Sequence, residues 1–162
     1  MLDRSPRRSV SIWKPCWRGL GQHGRSVTSM AGLHFYCGKW LGDDKSANPI
    51  FEVIEEVRDL VSPDEGDSSM DEFFREWGAQ QENEEIRLSH SMLSALYIPL
   101  RRYQSILVDR LGLSSPEASI EELGPFPRSI SEDEAKFLCV ADIFKGFEVV
   151  KKTGNPLVIH FC

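Results

Sequence analysis

The chain has 162 residues, of which 41% are hydrophobic and 27% are charged, and its formal net charge is −6. This length favours one domain, which is large enough to fold without a disulfide or a structural metal. No apolar run approaches the roughly 18 residues of a membrane-spanning helix, so no membrane association is expected. The four cysteines are scattered without a CxxC pair, which indicates reduced thiols and a cytoplasmic location.

The charge is distributed unevenly along the chain. Residues 1–29 contain six basic residues and one acidic residue, which leaves 13 basic and 24 acidic residues, a net charge of −11, for residues 30–162. The first segment is rich in Ser, Gly and Arg and has no helical or strand period. We interpret 1–29 as a basic leader: a non-native start upstream of Met30, an ordered or flexible arm, or a transit peptide. Residues 30–162 are expected to form a single globular domain.

The first half of this domain carries both strand and helix signals. The apolar and aromatic run at 33–37 predicts a buried strand. Apolar residues then recur at helical spacing over 50–61, with acidic residues largely on the other side, which predicts an amphipathic helix. Ser69 and Glu72 fit a capping box at the start of a second helix. The strongly polar stretch 80–85 is expected to face solvent, in a loop or at the start of a helix.

The second half is dominated by two long helical patterns. Helical spacing extends over 89–111, where Pro99 must kink or divide the helix because it removes a backbone donor and clashes with the preceding turn. The sequence at 131–134 fits a capping box. The apolar face of the helix that follows is broad enough for packing on two sides. Phe144 and Phe147 are therefore predicted to lie in the core.

The fold class follows from how these elements are arranged. Residues 157–161 form an apolar run with little alternation, which predicts a strand buried on both faces. The strands at 33–37 and 157–161 are expected to pair in a small sheet covered by helices. We therefore predict a helix-rich α+β fold, or a small α/β fold if the last helix and strand belong to a parallel crossover unit.

Four potential soft ligands lie on the two predicted strands. His34, Cys37, His160 and Cys162 would resemble a zinc ligand set if the strands were neighbours. However, His34 and Cys37 are three residues apart in a strand and point to opposite faces. Cys162 is also the last residue and is free to fray. We therefore expect no metal and no cofactor, and interpret the histidines as buried strand residues.

The same residues also suggest an enzymatic alternative. A cysteine nucleophile requires a thiolate partnered by a histidine. Cys37 is the best candidate because it ends a strand, and His90 or His160 could serve as the base; His34 and His160 are the other weak candidates for a catalytic role. Cys139 lies between apolar neighbours in a helix and is interpreted as a small core residue. The alternative function is thus a small cysteine- or histidine-dependent hydrolase or transferase.

The acidity of residues 30–162 supports a different, preferred hypothesis. An acidic surface accelerates association with a basic protein, whereas it opposes binding to nucleic acid. The sequence therefore indicates a non-enzymatic module that binds a basic protein partner, with Glu82, Glu84 and Glu85 as the expected contact. A small acidic α+β protein without a catalytic signature has the general character of bacterial accessory proteins, including immunity proteins that block basic toxins. This is an analogy of character and rests on no shared motif.

Overall fold

The computed structural model describes residues 33–42, 49–61 and 68–161. The predicted leader at 1–29 and Cys162 lie outside these described residues. In chain order, the elements are β1 (Leu33–Cys37), β2 (Trp40–Leu41), α1 (Ile50–Leu60), α2 (Ser68–Gln80), β3 (Glu85–Leu88), α3 (His90–Leu111), a 3₁₀ turn (Ile120–Leu123), α4 (Glu132–Thr153) and β4 (Leu157–Phe161). The described strands form an antiparallel sheet in the order β2–β1–β4–β3. The predicted helix-rich α+β fold is confirmed.

The pairing of the first and last strands is also confirmed, but the parallel crossover is wrong. β4 runs antiparallel to both of its neighbours, β1 and β3. Two helices of 22 residues each, α3 and α4, lie between β3 and β4. Two parallel strands are joined through a single crossover helix. A second helix between the strands reverses the direction of the chain once more. The last strand therefore returns in the opposite direction.

α4 is the central helix of the described part of the chain. It packs against α1, α3, β1 and β4, which confirms the predicted packing on two sides. It begins at the expected capping box, in which the Ser131 hydroxyl accepts from the Glu134 amide and the Glu134 carboxylate accepts from the Ser131 amide. Phe147 is buried as predicted. The prediction for Phe144 is wrong, because this side chain is only partly buried and lies against Tyr97 and Arg101 on α3.

Of the two effects expected of Pro99, a kink or a division, the structure rules out the division, because α3 continues through Pro99. An interior proline costs about 3 kcal/mol, whereas each fully buried leucine contributes about 1.5–3 kcal/mol. Leu96, Leu100 and Leu107 of α3 are buried in the core, so their packing outweighs the lost hydrogen bond. α2 begins at Ser68, so that Ser69 lies inside the helix rather than at its cap.

A charge cluster around the buried side chain of Lys136 joins α1, α3 and α4. The Lys136 side chain is 5% exposed, and its ammonium donates to Glu56 at 2.6 Å and to Glu132 at 2.5 Å. The Tyr103 hydroxyl also donates to Glu56 at 3.1 Å, and Arg110 lies 3.4 Å from the same carboxylate. Burial raises the pKa of Glu56, but the hydrogen bonds from Lys136 and Tyr103 outweigh burial and hold this pKa below its ordinary value.

We predict that Glu56→Gln lowers the free energy of unfolding by about 1–3 kcal/mol at neutral pH, because the buried Lys136 ammonium loses a partner while exposure of Glu56 limits the loss. The folded-state pKa of Glu56 is lowered, so its contribution is complete above the ordinary glutamate pKa of about 4.3 and disappears as pH falls through the lower folded value. Urea unfolding from pH 3 to 7 measures the effect.

The control is Glu55→Gln on the same helix. Glu55 forms an exposed pair with Arg58 at 3.0 Å, and such pairs contribute about 0–1 kcal/mol. A difference between wild type and Glu56→Gln that stays constant down to acidic pH would contradict the prediction. So would equal effects of the two substitutions.

Gly146 allows α4 to approach the sheet closely. A Cβ atom at this position would lie 2.7 Å and 2.9 Å from the two terminal methyl groups of Leu157 in β4. Leu157 is fully buried and therefore has little room to move away. Glycine at this position thus sets the distance between the helix and the central strand.

We predict that Gly146→Ala destabilises the protein by about 1–3 kcal/mol through overpacking, although alanine is favoured over glycine by about 1 kcal/mol within a helix. The matched control is Gly78→Ala in α2. Gly78 is exposed, and a Cβ there would meet no described atom within 4 Å, so this substitution is expected to stabilise the protein by about 0.5–1 kcal/mol. Urea unfolding of both variants tests the opposite signs; stabilisation by both would refute the close contact.

Candidate functional site

The two faces of the sheet differ in chemistry because side chains alternate along each strand. One face is apolar and packs on the helices; its fully buried members are Phe35, Cys37, Ile86, Leu88, Leu157 and Ile159. The opposite face, which we call the outer face, carries His34, Tyr36, Glu85, Arg87, Val158 and His160. Of these only Val158 is buried, so the expectation that β4 is buried on both faces is wrong at His160, which is half-buried.

The strand register brings two of the predicted catalytic residues together. His34 lies directly opposite His160, and His160 lies directly opposite Glu85, so the three form a row across β1, β4 and β3. His160 Nδ1 is buried without a hydrogen-bond partner in the structure, and the nearest Glu85 oxygen is 3.7 Å away. This separation suits an ion pair when the ring is protonated. Glu85, one of the predicted partner-contact residues, therefore lies on the same face of the sheet as the candidate histidines His34 and His160.

Tyr36 and Arg87 hold the Glu85 carboxylate from two sides. The Tyr36 hydroxyl donates to Glu85 Oε1 at 2.8 Å, and Arg87 Nη2 lies 3.3 Å from Oε2. The hydrogen bond from Tyr36, aided by Arg87, lowers the pKa of Glu85. The same hydrogen bond raises the pKa of Tyr36 against the opposing charge of Arg87. The carboxylate is consequently ionised at neutral pH and fixed in position. Neither Tyr36 nor Arg87 was among the predicted site residues.

Gln80 fixes β3 at the edge of the sheet. Its side-chain oxygen accepts from the Arg87 amide at 2.8 Å, and its side-chain nitrogen donates to the Arg87 carbonyl at 3.2 Å. The expectation that 80–85 is a loop or a helix start is wrong at both ends, since Gln80 ends α2 and Glu85 begins β3. The alternation of polar and apolar residues over 85–88 is the signal that would have indicated the strand.

The three predicted contact residues are close in sequence but differ in environment. Glu82 and Glu84 are exposed in the turn between α2 and β3. Glu85 lies on the outer face and is bound by its neighbours. The turn therefore places two exposed carboxylates next to the fixed carboxylate of Glu85. The outer face together with Glu82 and Glu84 is the candidate site.

Cys37 is not brought together with the histidines. Its side chain is fully buried on the helix-packed face, where the sulfur lies 3.6 Å from Thr153 Oγ1 and 3.4 Å from the Asn155 carbonyl oxygen. His34 and His160 lie on the other side of the sheet. Cys139 is fully buried, as expected for a core residue. The described residues thus contain no contact between Cys37 and either strand histidine.

Within residues 33–42, 49–61 and 68–161, no group of three or more His, Cys, Asp or Glu side chains is arranged to hold a metal ion. None of the described helices is both long and apolar enough to cross a membrane. No protein-family model, curated protein or solved structure matches the chain significantly. The candidate site is therefore interpreted from its own geometry.

We predict that Tyr36→Phe raises the pKa of Glu85 towards its ordinary value, because the hydroxyl that stabilises the carboxylate is lost. Carboxyl-carbon NMR titration measures this pKa directly. Any stability that the lowered pKa provides is present above the ordinary glutamate pKa and lost as pH falls, so the substitution matters more at neutral than at acidic pH. Tyr97→Phe on α3 is the control, and an unchanged Glu85 pKa in Tyr36→Phe would refute the role of the hydroxyl.

Proposed function

We propose that the chain is a non-enzymatic module that binds a basic protein partner through the outer face and the adjacent Glu82 and Glu84. The observation that carries the proposal is the arrangement of three carboxylates at one edge of the outer face. Glu85 is fixed by Tyr36, whereas Glu82 and Glu84 are exposed beside it. A fixed carboxylate binds a cationic side chain with little loss of conformational entropy.

The composition of the outer face favours a protein surface as the ligand. Tyr36 lies directly opposite Leu41 of β2, whose side chain is 65% exposed. Tyrosine and arginine are enriched at the centres of protein interfaces, and charged groups surround such centres. Tyr36 and Arg87 therefore provide contact area beside Glu85, and Leu41 extends this area towards the opposite edge of the sheet. This combination suits an extended partner surface better than a small molecule.

Electrostatic attraction over longer distances supports the same partner. Residues 30–162 have a net charge of −11, which would steer a cationic protein towards the domain and raise the association rate. Accessory proteins of the immunity type, which block basic toxins, remain the best analogy. The cysteine-dependent form of the hydrolase or transferase alternative gains no support from the site, because Cys37 is buried away from His34 and His160.

We predict that a partner captured from lysate at low salt is basic and that its association rate falls about tenfold or more between about 0.05 M and 0.5 M salt. The variant Glu82→Gln, Glu84→Gln, Glu85→Gln is expected to associate several-fold more slowly and to depend less on salt. Stopped-flow mixing or surface plasmon resonance measures these rates. An acidic partner, or a rate indifferent to salt, would refute the proposal.

The control variant removes the same charge from other exposed positions, Asp59→Asn, Asp109→Asn and Glu121→Gln. It reports the effect of total charge alone. If it slows association as much as the first variant, the contact does not lie at the turn. A larger effect of the Glu82, Glu84 and Glu85 substitutions supports the proposed surface.

A further inference from the structure

A groove of about 450 Å³ lies between α3, α4 and the segment 116–120. Its wall is mostly apolar and includes Ile120, Phe137, Ala141 and Phe144. None of the outer-face residues lines it, so it is separate from the proposed protein-binding site. Small-molecule sites are typically apolar clefts of about 300–1,000 Å³ with a few placed polar groups.

Arg101 is the best-placed polar group in this groove. Its guanidinium lies 4.1 Å from the centre of the Phe144 ring, and its Nη1 donates to Gln104 Oε1 at 2.9 Å. Gln104 is 2% exposed and in turn donates to the Pro116 carbonyl at 3.1 Å. The stacked ring and the buried amide hold the guanidinium plane in one orientation. A guanidinium held in this way can donate two parallel hydrogen bonds to the two oxygens of a carboxylate.

A carboxylate of the protein itself already lies beside Arg101. Glu117 Oε1 is 3.6 Å from Arg101 Nη1, but its side chain is 74% exposed. Exposed pairs of this kind contribute little, so an external carboxylate can displace Glu117 at small cost. Lys145 adds a second positive charge to the groove; its ammonium lies 3.6 Å from the buried carboxylate of Asp142. Arg101 is thus the cation best placed to meet an anion in the groove, whereas the charge of Lys145 is partly neutralised by Asp142.

We propose that this groove binds a small molecule that carries one carboxylate on an apolar body. The carboxylate replaces Glu117 at Arg101 and is attracted by Lys145. The apolar body covers Leu138 and Ala141, which line the groove and are partly exposed. Charge complementarity selects the anion, and the apolar wall favours ligands with an apolar body, because small hydrophilic anions remove none of that surface from water.

The test is an NMR titration of the full ¹⁵N-labelled chain with 4-phenylbutyrate and with its neutral isostere 4-phenylbutanamide. Shift changes are expected around Ile120, Phe137 and Ala141, and the acid is expected to bind about tenfold more tightly than the amide, as for one charge-assisted hydrogen-bonded contact. Arg101→Gln should remove this preference. Lys145→Gln should weaken binding of the acid about two- to fivefold.

Glu117→Gln gives the most specific result, because removal of the competing carboxylate should strengthen binding of the acid about two- to fivefold. Lys152→Gln is the control for Lys145→Gln. Lys152 also lies on α4 but outside the groove, so its substitution should not change the affinity for the acid. A melting curve confirms that each variant folds. If Arg101→Gln does not fold, Arg101→Lys and Glu117→Gln decide the question.

Four outcomes would overturn the proposal. Equal affinities for the acid and the amide would show that the charge is not recognised. Weaker binding in Glu117→Gln would show that Glu117 does not compete with the ligand. No binding of the acid up to about 10 mM, or shifts centred on Ile98 at the other side of α3, would show that the groove is not the site.

Discussion

The close approach of α4 to the sheet at Gly146 and Leu157 is the constraint on which the other features depend. β4 is an inner strand that pairs with both β1 and β3; α4 packs on β4 and β1, and α2 packs on β3, so that helices cover the apolar face. Phe35 and Ile159 are thereby fully buried. The alternate side chains of the same strands must then point away from the helices. The outer face is thus a geometric consequence of tight packing on the opposite side.

The charge cluster around Lys136 changes how the acidity of the chain should be interpreted. From the sequence, Glu56, Glu132 and Glu134 resemble exposed charges on helix faces. In the fold, Glu56 and Glu132 hold the Lys136 ammonium, and Glu134 caps α4 and pairs with Arg128 at 2.6 Å. Part of the negative charge therefore stabilises the packing of three helices. The acidic side chains in the turn before β3 remain accessible to a partner.

Gln80 favours recognition through the face of the sheet rather than through its edge. An open edge strand offers backbone groups with which a partner strand can pair. At Arg87 both outward backbone groups are already satisfied by the Gln80 side chain. A partner that pairs with β3 would have to displace this amide. Side-chain recognition on the outer face requires no such rearrangement, which agrees with the charged and aromatic character of that surface.

The elements that could be predicted from the sequence are those with local signals. Helical periodicity, the capping box at 131–134 and the apolar runs at 33–37 and 157–161 depend on interactions within a few residues, and these elements were predicted correctly. The partial exposure of Phe144 and the row formed by His34, His160 and Glu85 depend instead on how distant elements pack together. A row across three strands requires their register, and this register follows from how α3 and α4 return the chain to the sheet. Such long-range geometry leaves no periodic signal in the sequence.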